Sequence, residues 1–371
     1  MSRIWLAADS MVTPLGIGTE HNYEEMRAGR SGLRWIEDPS LLPRPFVGGL
    51  IEDQALYARA SRLESMCIEA IDDIRAQGFD DFSNTLLILS STKGNISLLG
   101  SSQIDPLRIG LSSSSEFLQN FFGFKKAIVL SNACISGVLS VLVAQRSMLW
   151  QEWEQVLVVG ADELSKFILS GFQSLQALSD TFCRPFDATR NGINLGEAAA
   201  ALLLCKEKEG QPLPLDSIFV AGGSSSNDAN HISGPSRTGD ELAMAIRQAM
   251  EQAEIEVGDI DCISAHGTAT IYNDEMEAKA FHTVGLSSTP LNSLKGYFGH
   301  TLGASGLLEI IISAESMRRN EWLPTKGFEE LGVSQSLQLT NQLISRPLHT
   351  CLKTASGFGA CNAAIILQKV S

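Results

Sequence analysis

The feature that most constrains this chain is that it closes two strands with nearly the same sequence. GEAAAALLLCK begins at Gly196 and GACNAAIILQK at Gly359, with Gly, Ala-Ala, Leu and Lys in register. The elements ahead of each copy follow one order: a strand, helices, a strand that runs into a Gly-rich turn, and a long apolar helix. Duplication of a supersecondary unit explains the match and the shared order together. The pattern predicts a first half over 1–206 that carries a cysteine turn, and a second over 207–371 that carries two histidine turns.

Alternating strands and helices predict an α/β fold with two mixed, mainly parallel sheets covered by helices. The helices GVLSVLVAQRSML and ASGLLEIIISAES are apolar nearly all round, so they are expected in the middle of the molecule, buried between the sheets. That arrangement is a layered αβαβα. Chemistry in such folds gathers on the turns at the carboxyl ends of strands.

Composition narrows the partners. The charge balance is 28 − 42 = −14, which argues against wholesale binding to nucleic acid or an acidic membrane. With 44% hydrophobic and 19% charged residues the chain can bury a large core. Its seven cysteines are scattered, with no CxxC pair and no metal-ligand spacing, which argues for a reducing compartment. The start, MSRIWLAADS, does not read as a signal peptide. No apolar run reaches the ~20 residues of a membrane span. A cytoplasmic protein is the expectation.

Three turns carry reactive side chains. In Ala127–Gly137, AIVLSNACISG, an apolar run expected to be a buried strand stops at small residues and Cys134 opens a helix. A helix start favours thiolate over thiol. In ISAHGTAT, His266 ends a strand; in LNSLKGYFGHTLGASG, Lys295 and His300 sit among glycines before the second apolar helix. By the repeat, His300 takes the helix-start position that Cys134 takes in the other half, so a pseudo-twofold axis would bring them together. One thiol and two imidazoles on such loops form a nucleophile-plus-base constellation. His21, His231, His282 and His349 lack such contexts and read as structural or exposed.

Across its whole length the chain resembles the elongating β-ketoacyl-acyl-carrier-protein synthases of the thiolase-like fold. The stretches that carry the resemblance are NACISG, RPFDATRNGINLGEAA from Arg184, HGTAT with NDEMEA, NSLKGYFGHTLGASG, and GFGACNAA from Gly357. The resemblance implies that Cys134 accepts the acyl chain and that His266, His300 and Lys295 complete the catalytic set. It implies an oxyanion hole from the backbone N–H groups of Cys134 and Phe358, with Phe358 gating the acyl pocket. Glu309 would support the site from the buried helix, Thr268 and Thr270 would contact pantetheine, and Arg59 and Arg62, with Arg108 a further candidate, would dock the carrier protein. No metal or resident cofactor is implied, because substrates arrive on the carrier's phosphopantetheine.

Departures from the family pattern bear on specificity. Ile135 follows the nucleophile where a smaller residue is usual, which would reshape the acyl pocket. GFGACN replaces GFGG, GEAA replaces GEGA, and the segment from Lys93 to Ser115 looks short. These changes favour a specialised polyketide or polyene pathway over primary fatty acid synthesis. The implied partners are acyl carrier protein and a second subunit, identical or a related chain-length factor. Competing readings are a non-catalytic chain-length partner, which would lack the nucleophile, and a thiolase using Cys361; a cysteine hydrolase would not explain the second histidine.

Overall fold

The computed structural model describes residues 2–52, 54–99, 105–150, 153–228 and 234–370. Five strands of the first half, Ile4–Thr13, Leu86–Ser90, Lys126–Leu130, Gln155–Asp162 and Ala198–Lys206, have counterparts in Ile218–Asn227, Cys262–Ser264, Pro290–Asn292, Thr350–Gly357 and Cys361–Lys369. Read outward from the junction of the halves, both sets pair in one order: first, fifth, fourth, second, third. The expected duplication is therefore present in the topology. The two near-identical segments are the fifth strand of each set.

Where two separate sheets were expected, one register pair, Trp5 with Phe219, joins them edge to edge into one 12-stranded sheet, with Gly16–Ile17 paired beside the main path on Ile4–Thr13. Pairing is also more evenly mixed than expected. In each half the first, fifth and fourth strands run antiparallel and the fourth, second and third run parallel. In the second half the reason is local: Phe358–Ala360 is too short a link between Thr350–Gly357 and Cys361–Lys369 for a parallel crossover.

Helices complete five layers. Arg62–Ala76 packs on the outer face of the first half, its start fixed by a capping box in which Ser61 and Glu64 bond each other's backbone N–H groups. Asp240–Ala253 and Ile271–Val284 cover the second half. Between the sheets lie Ser136–Leu149 and Ser305–Arg319, in the largest apolar cluster. They cross at glycines: a Cβ on Gly137 would stand 2.6 Å from the Leu307 nitrogen, and one on Gly306 2.7 Å from Val138 Cγ2. The second helix is buried on every side until its last turn, whereas the first exposes Arg146 and Leu149 at its end.

One expectation fails at the strand before the nucleophile. Lys126–Leu130 is only half-buried, because it is the outermost strand and pairs on one side alone. An apolar run fits an uncovered sheet edge as well as a sheet centre. Among the described residues no helix is long and apolar enough to cross a membrane.

Candidate active site

Cys134 sits in a tight bend just ahead of the helix Ser136–Leu149. Ala133 adopts a left-handed φ of 44°, and Ser136 fastens the bend: its Oγ accepts from the Asn132 N–H at 2.7 Å and donates to the Ala133 carbonyl at 2.6 Å. The thiol is almost fully buried. Here the thiolate expectation is corrected. Burial pushes the Cys134 pKa up to about 12, although Lys295 and the Phe358 backbone N–H pull the other way. Desolvation outweighs the helix start, so the resting form is a thiol.

The His266 turn is held from behind by carboxylates. Glu277 accepts from the backbone N–H of His266 at 2.8 Å and of Gly267 at 2.7 Å, while Asp274 accepts from Thr268 at 2.9 Å. The two acids lie three apart on the helix Ile271–Val284 and so share a face. Asp274 also accepts from the Phe186 N–H at 2.7 Å, which ties in the RPFD stretch. Burial raises the pKa of Glu277 and lifts that of Asp274 to about 7.

His300 is fixed through its backbone. Its N–H donates to the Asn194 carbonyl at 2.8 Å, and its carbonyl accepts from the Gly196 N–H at 3.1 Å. The turn approaches so closely that a Cβ on Gly196 would lie 2.0 Å from the Phe298 carbonyl oxygen. Since Gly137 and Gly306 are the matching crossing points, the strict counterpart of Cys134 is Gly303, and His300 lies three positions earlier. The repeat brought the right loop to the cleft, but the positions are not equivalent.

These turns converge. The ligand atoms of Cys134, His266 and His300 all lie within 4.8 Å of one another. The imidazoles meet edge to face, with ring centroids 5.1 Å apart. Burial first, and then the charge of Lys295 and Lys353, holds both well below the usual imidazole pKa, so both are neutral. His266 Nδ1 and both ring nitrogens of His300 have no hydrogen-bond partner among the described residues. Those nitrogens are left free to meet a ligand or a water. The three donors are also close enough for a metal ion, but the nearby ammoniums oppose a dication.

Behind the imidazoles lies a buried ionic triad. Glu309 pairs with Lys295 through one oxygen and with Lys353 through the other, the latter at 2.6 Å. Ser305 donates to the same carboxylate at 3.2 Å. Burial alone would raise the Glu309 pKa, but the two lysines outweigh it and hold it low. Glu309, expected to support the site, is thus one member of a three-member ionic cluster.

The remaining candidates divide. Phe358 is 39% exposed and its ring lies 5.7 Å from that of Phe172, at the open side of the site. Beyond it Ala360 takes a φ of 57° where the glycine would be more comfortable. The Thr268 and Thr270 hydroxyls lie 2.8 Å apart, and Ile135 is buried in the central core. Arg59 is exposed. Arg62 is bound to buried Glu197, and Arg108 to buried Glu64 at 2.6 Å, so both have internal partners. His21, His282 and His349 are exposed or half-exposed and away from the site; His231 lies outside the described residues, as does part of the segment from Lys93 to Ser115.

Several charged side chains that hold the site's turns have no evident role in the sequence. Lys353 hides in an apolar strand, and Asp274 and Glu277 stand in NDEMEA without an evident target. Asp162 ends the strand Gln155–Asp162 and accepts from Ser91, Thr92, Lys93 and, at 2.7 Å, the Gly303 N–H. Lys353 and Asp162 are charges in an apolar context, which is the signal that could have found them; Asp274 and Glu277 stand among other charged residues and carry no such signal.

Residues 112–210 match the beta-ketoacyl synthase N-terminal domain and residues 217–329 its C-terminal domain. The 3-oxoacyl-acyl-carrier-protein synthase 2 of Rhizobium meliloti is 32% identical over 251 residues, covering 64% of this chain but only 59% of that relative's length. Among solved structures, the ketosynthase ApeO in complex with its chain length factor ApeC, from Xenorhabdus doucetiae, superposes with a TM-score of 0.91 at 26% identity, over 100% of this chain and 98% of the other. The ishigamide ketosynthase/chain length factor superposes at 0.87 with 25% identity, over 100% of both chains. With both domains matched in order and the duplicated fold in place, this chain belongs to the beta-ketoacyl synthase family.

Proposed function

We propose that this protein is a condensing acyltransferase that loads an acyl chain from acyl carrier protein onto Cys134 and extends it by two carbons from malonyl-carrier. The observation that carries this reading is the convergence of Cys134, His266 and His300, all three buried, within 4.8 Å. A chain-length partner without catalysis would have no use for that set.

In the first step Sγ attacks the carrier thioester. The acyl–pantetheine bond breaks, the acyl–Sγ bond forms, and the proton of Cys134 ends on the departing carrier thiol. Backbone N–H groups of Cys134 and Phe358 stabilise the tetrahedral oxyanion. Malonyl-carrier then loses carbon dioxide, and negative charge develops on its thioester oxygen. Two neutral imidazoles offer N–H donors to that oxygen and favour the transition state over the ground state. The enolate carbon attacks the acyl–Sγ carbonyl, the C–S bond breaks, and the thiolate takes up a proton from solvent, the one proton the condensation consumes.

The half-exposed apolar strand Lys126–Leu130 supports a second subunit of the same fold, since an uncovered edge of this kind invites strand pairing. The relatives solved as ketosynthase and chain length factor make a heterodimer a natural form of it. The test is incubation with acyl-carrier thioesters, alone and with a co-expressed sister subunit. Acylation of Cys134 under either condition supports the synthase, and its absence under both favours the non-catalytic partner.

A further inference from the structure

Glu309 is a single carboxylate facing two ammoniums, and only one of them is needed to balance it. Lys295, Lys353 and Glu309 are all fully buried, two cations against one anion within the triad, and the buried carboxylate of Glu277 is the further anion that acts on Lys353. Such buried charges are costly unless they are engaged. Lys353 has two further acceptors: its Nζ lies 3.2 Å from the Ser264 carbonyl and 3.2 Å from that of Ala265. Ala265 immediately precedes His266.

We propose that Lys353 is a positioning residue of this site: it gathers the Glu309 carboxylate and the Ser264 and Ala265 carbonyls, fixes the turn that presents His266, and sets a positive charge behind both imidazoles. The charge has a direction. An ammonium near an imidazole opposes its protonation and keeps it a neutral donor.

Other groups act on the same rings. From the helix Ile271–Val284, Glu277 and Asp274 hold the turn. Lys295 adds its own positive charge from the helix Lys295–Phe298, and Glu309 offsets it from Ser305–Arg319. Asp162 faces the Gly303 loop, and the thiols of Cys134, Cys183 and Cys361 complete the surroundings. Lys353 also pulls down the pKa values of Glu309 and Glu277, so a shift on replacement reports the loss of that ammonium together with the response of those two acids.

The consequence for catalysis rests on the condensing reading above, but the test does not. It is an NMR titration of the imidazole carbons in Lys353→Met, which leaves Lys295 and Glu309 as a balanced pair. The proposal expects a folded variant whose His266 and His300 signals titrate at higher pH than in the parent, by about one pH unit. Malonyl-carrier decarboxylation would then lose activity at higher pH on its acid side, and its maximal rate would fall further in Lys353→Met, which removes the donor to both carbonyls, than in Lys353→Gln. Lys353→Gln repeats the titration with a donor retained for the two carbonyls and no charge, and the same direction is expected. Imidazole titrations coincident with the parent would overturn the proposal. So would collapse of both variants, which would assign Lys353 to folding alone.

Discussion

His266 and His300 stand edge to face, ring centroids 5.1 Å apart and planes at 84°, with Cys134 Sγ within 4.8 Å of a nitrogen on each. Under the proposed function, two neutral imidazoles so placed would serve the decarboxylation step more than the loading step. In His300→Ala, acyl loading of Cys134 should persist while condensation falls by roughly 10²–10³-fold, the usual loss of one oxyanion donor. Separate assays of acyl-enzyme formation and of product check this. Undiminished condensation would remove His300 from the mechanism.

The thiol state of Cys134 gives a pH prediction. Burial raises its pKa to about 12, so the thiolate fraction is small at neutral pH and grows as pH rises. Alkylation of the free enzyme by iodoacetamide should therefore accelerate steadily from pH 7 to pH 10, without a plateau. A plateau near pH 7 would mean that a histidine already holds the proton in the resting enzyme.

Gly137 and Gly306 let the central helices of the two halves touch, and a Cβ on Gly137 would stand 2.6 Å from a backbone nitrogen that has nowhere to go. Gly137→Ala should destabilise the protein by about 3 kcal/mol or more, at the upper end of overpacking costs. Chemical denaturation measures the loss. A neutral effect would mean that the helices can part without consequence for the cleft.

Glu309 bridges two ammoniums, so removing its charge should be worse than removing one lysine. Glu309→Gln leaves Lys295 and Lys353 facing each other, and breaking a buried pair of this kind costs about 3–5 kcal/mol. The fall in melting temperature should exceed that of Lys353→Met.

Much of this site was legible in the sequence for a physical reason. Cys134 and His266 follow apolar strands and His300 follows the short helix Lys295–Phe298, each in a turn beside residues too small to fill a core, and such turns advertise close approach. Glu309 was legible as a carboxylate in LLEIIIS that had to have a partner. Its second partner was not, because Lys353 lies in a strand whose neighbours are decided by sheet pairing. The exposure of Lys126–Leu130 was likewise illegible: an apolar run states what it can bury, not whether anything covers it. Arg62 looked free at a helix start, and only the fold brings Glu197 to it. The thiolate expectation failed because a helix terminus can be read locally, whereas desolvation belongs to the whole site.

The central claim is that Cys134 carries the growing chain, and intact-protein mass spectrometry tests it most directly. The protein, alone and with a sister subunit, is incubated with a panel of acyl-carrier thioesters and then with malonyl-carrier. The account predicts an acyl adduct on Cys134, absent in Cys134→Ala, that disappears as a product two carbons longer forms on the carrier. Normal loading in Cys134→Ala, or no adduct under either condition, would contradict it.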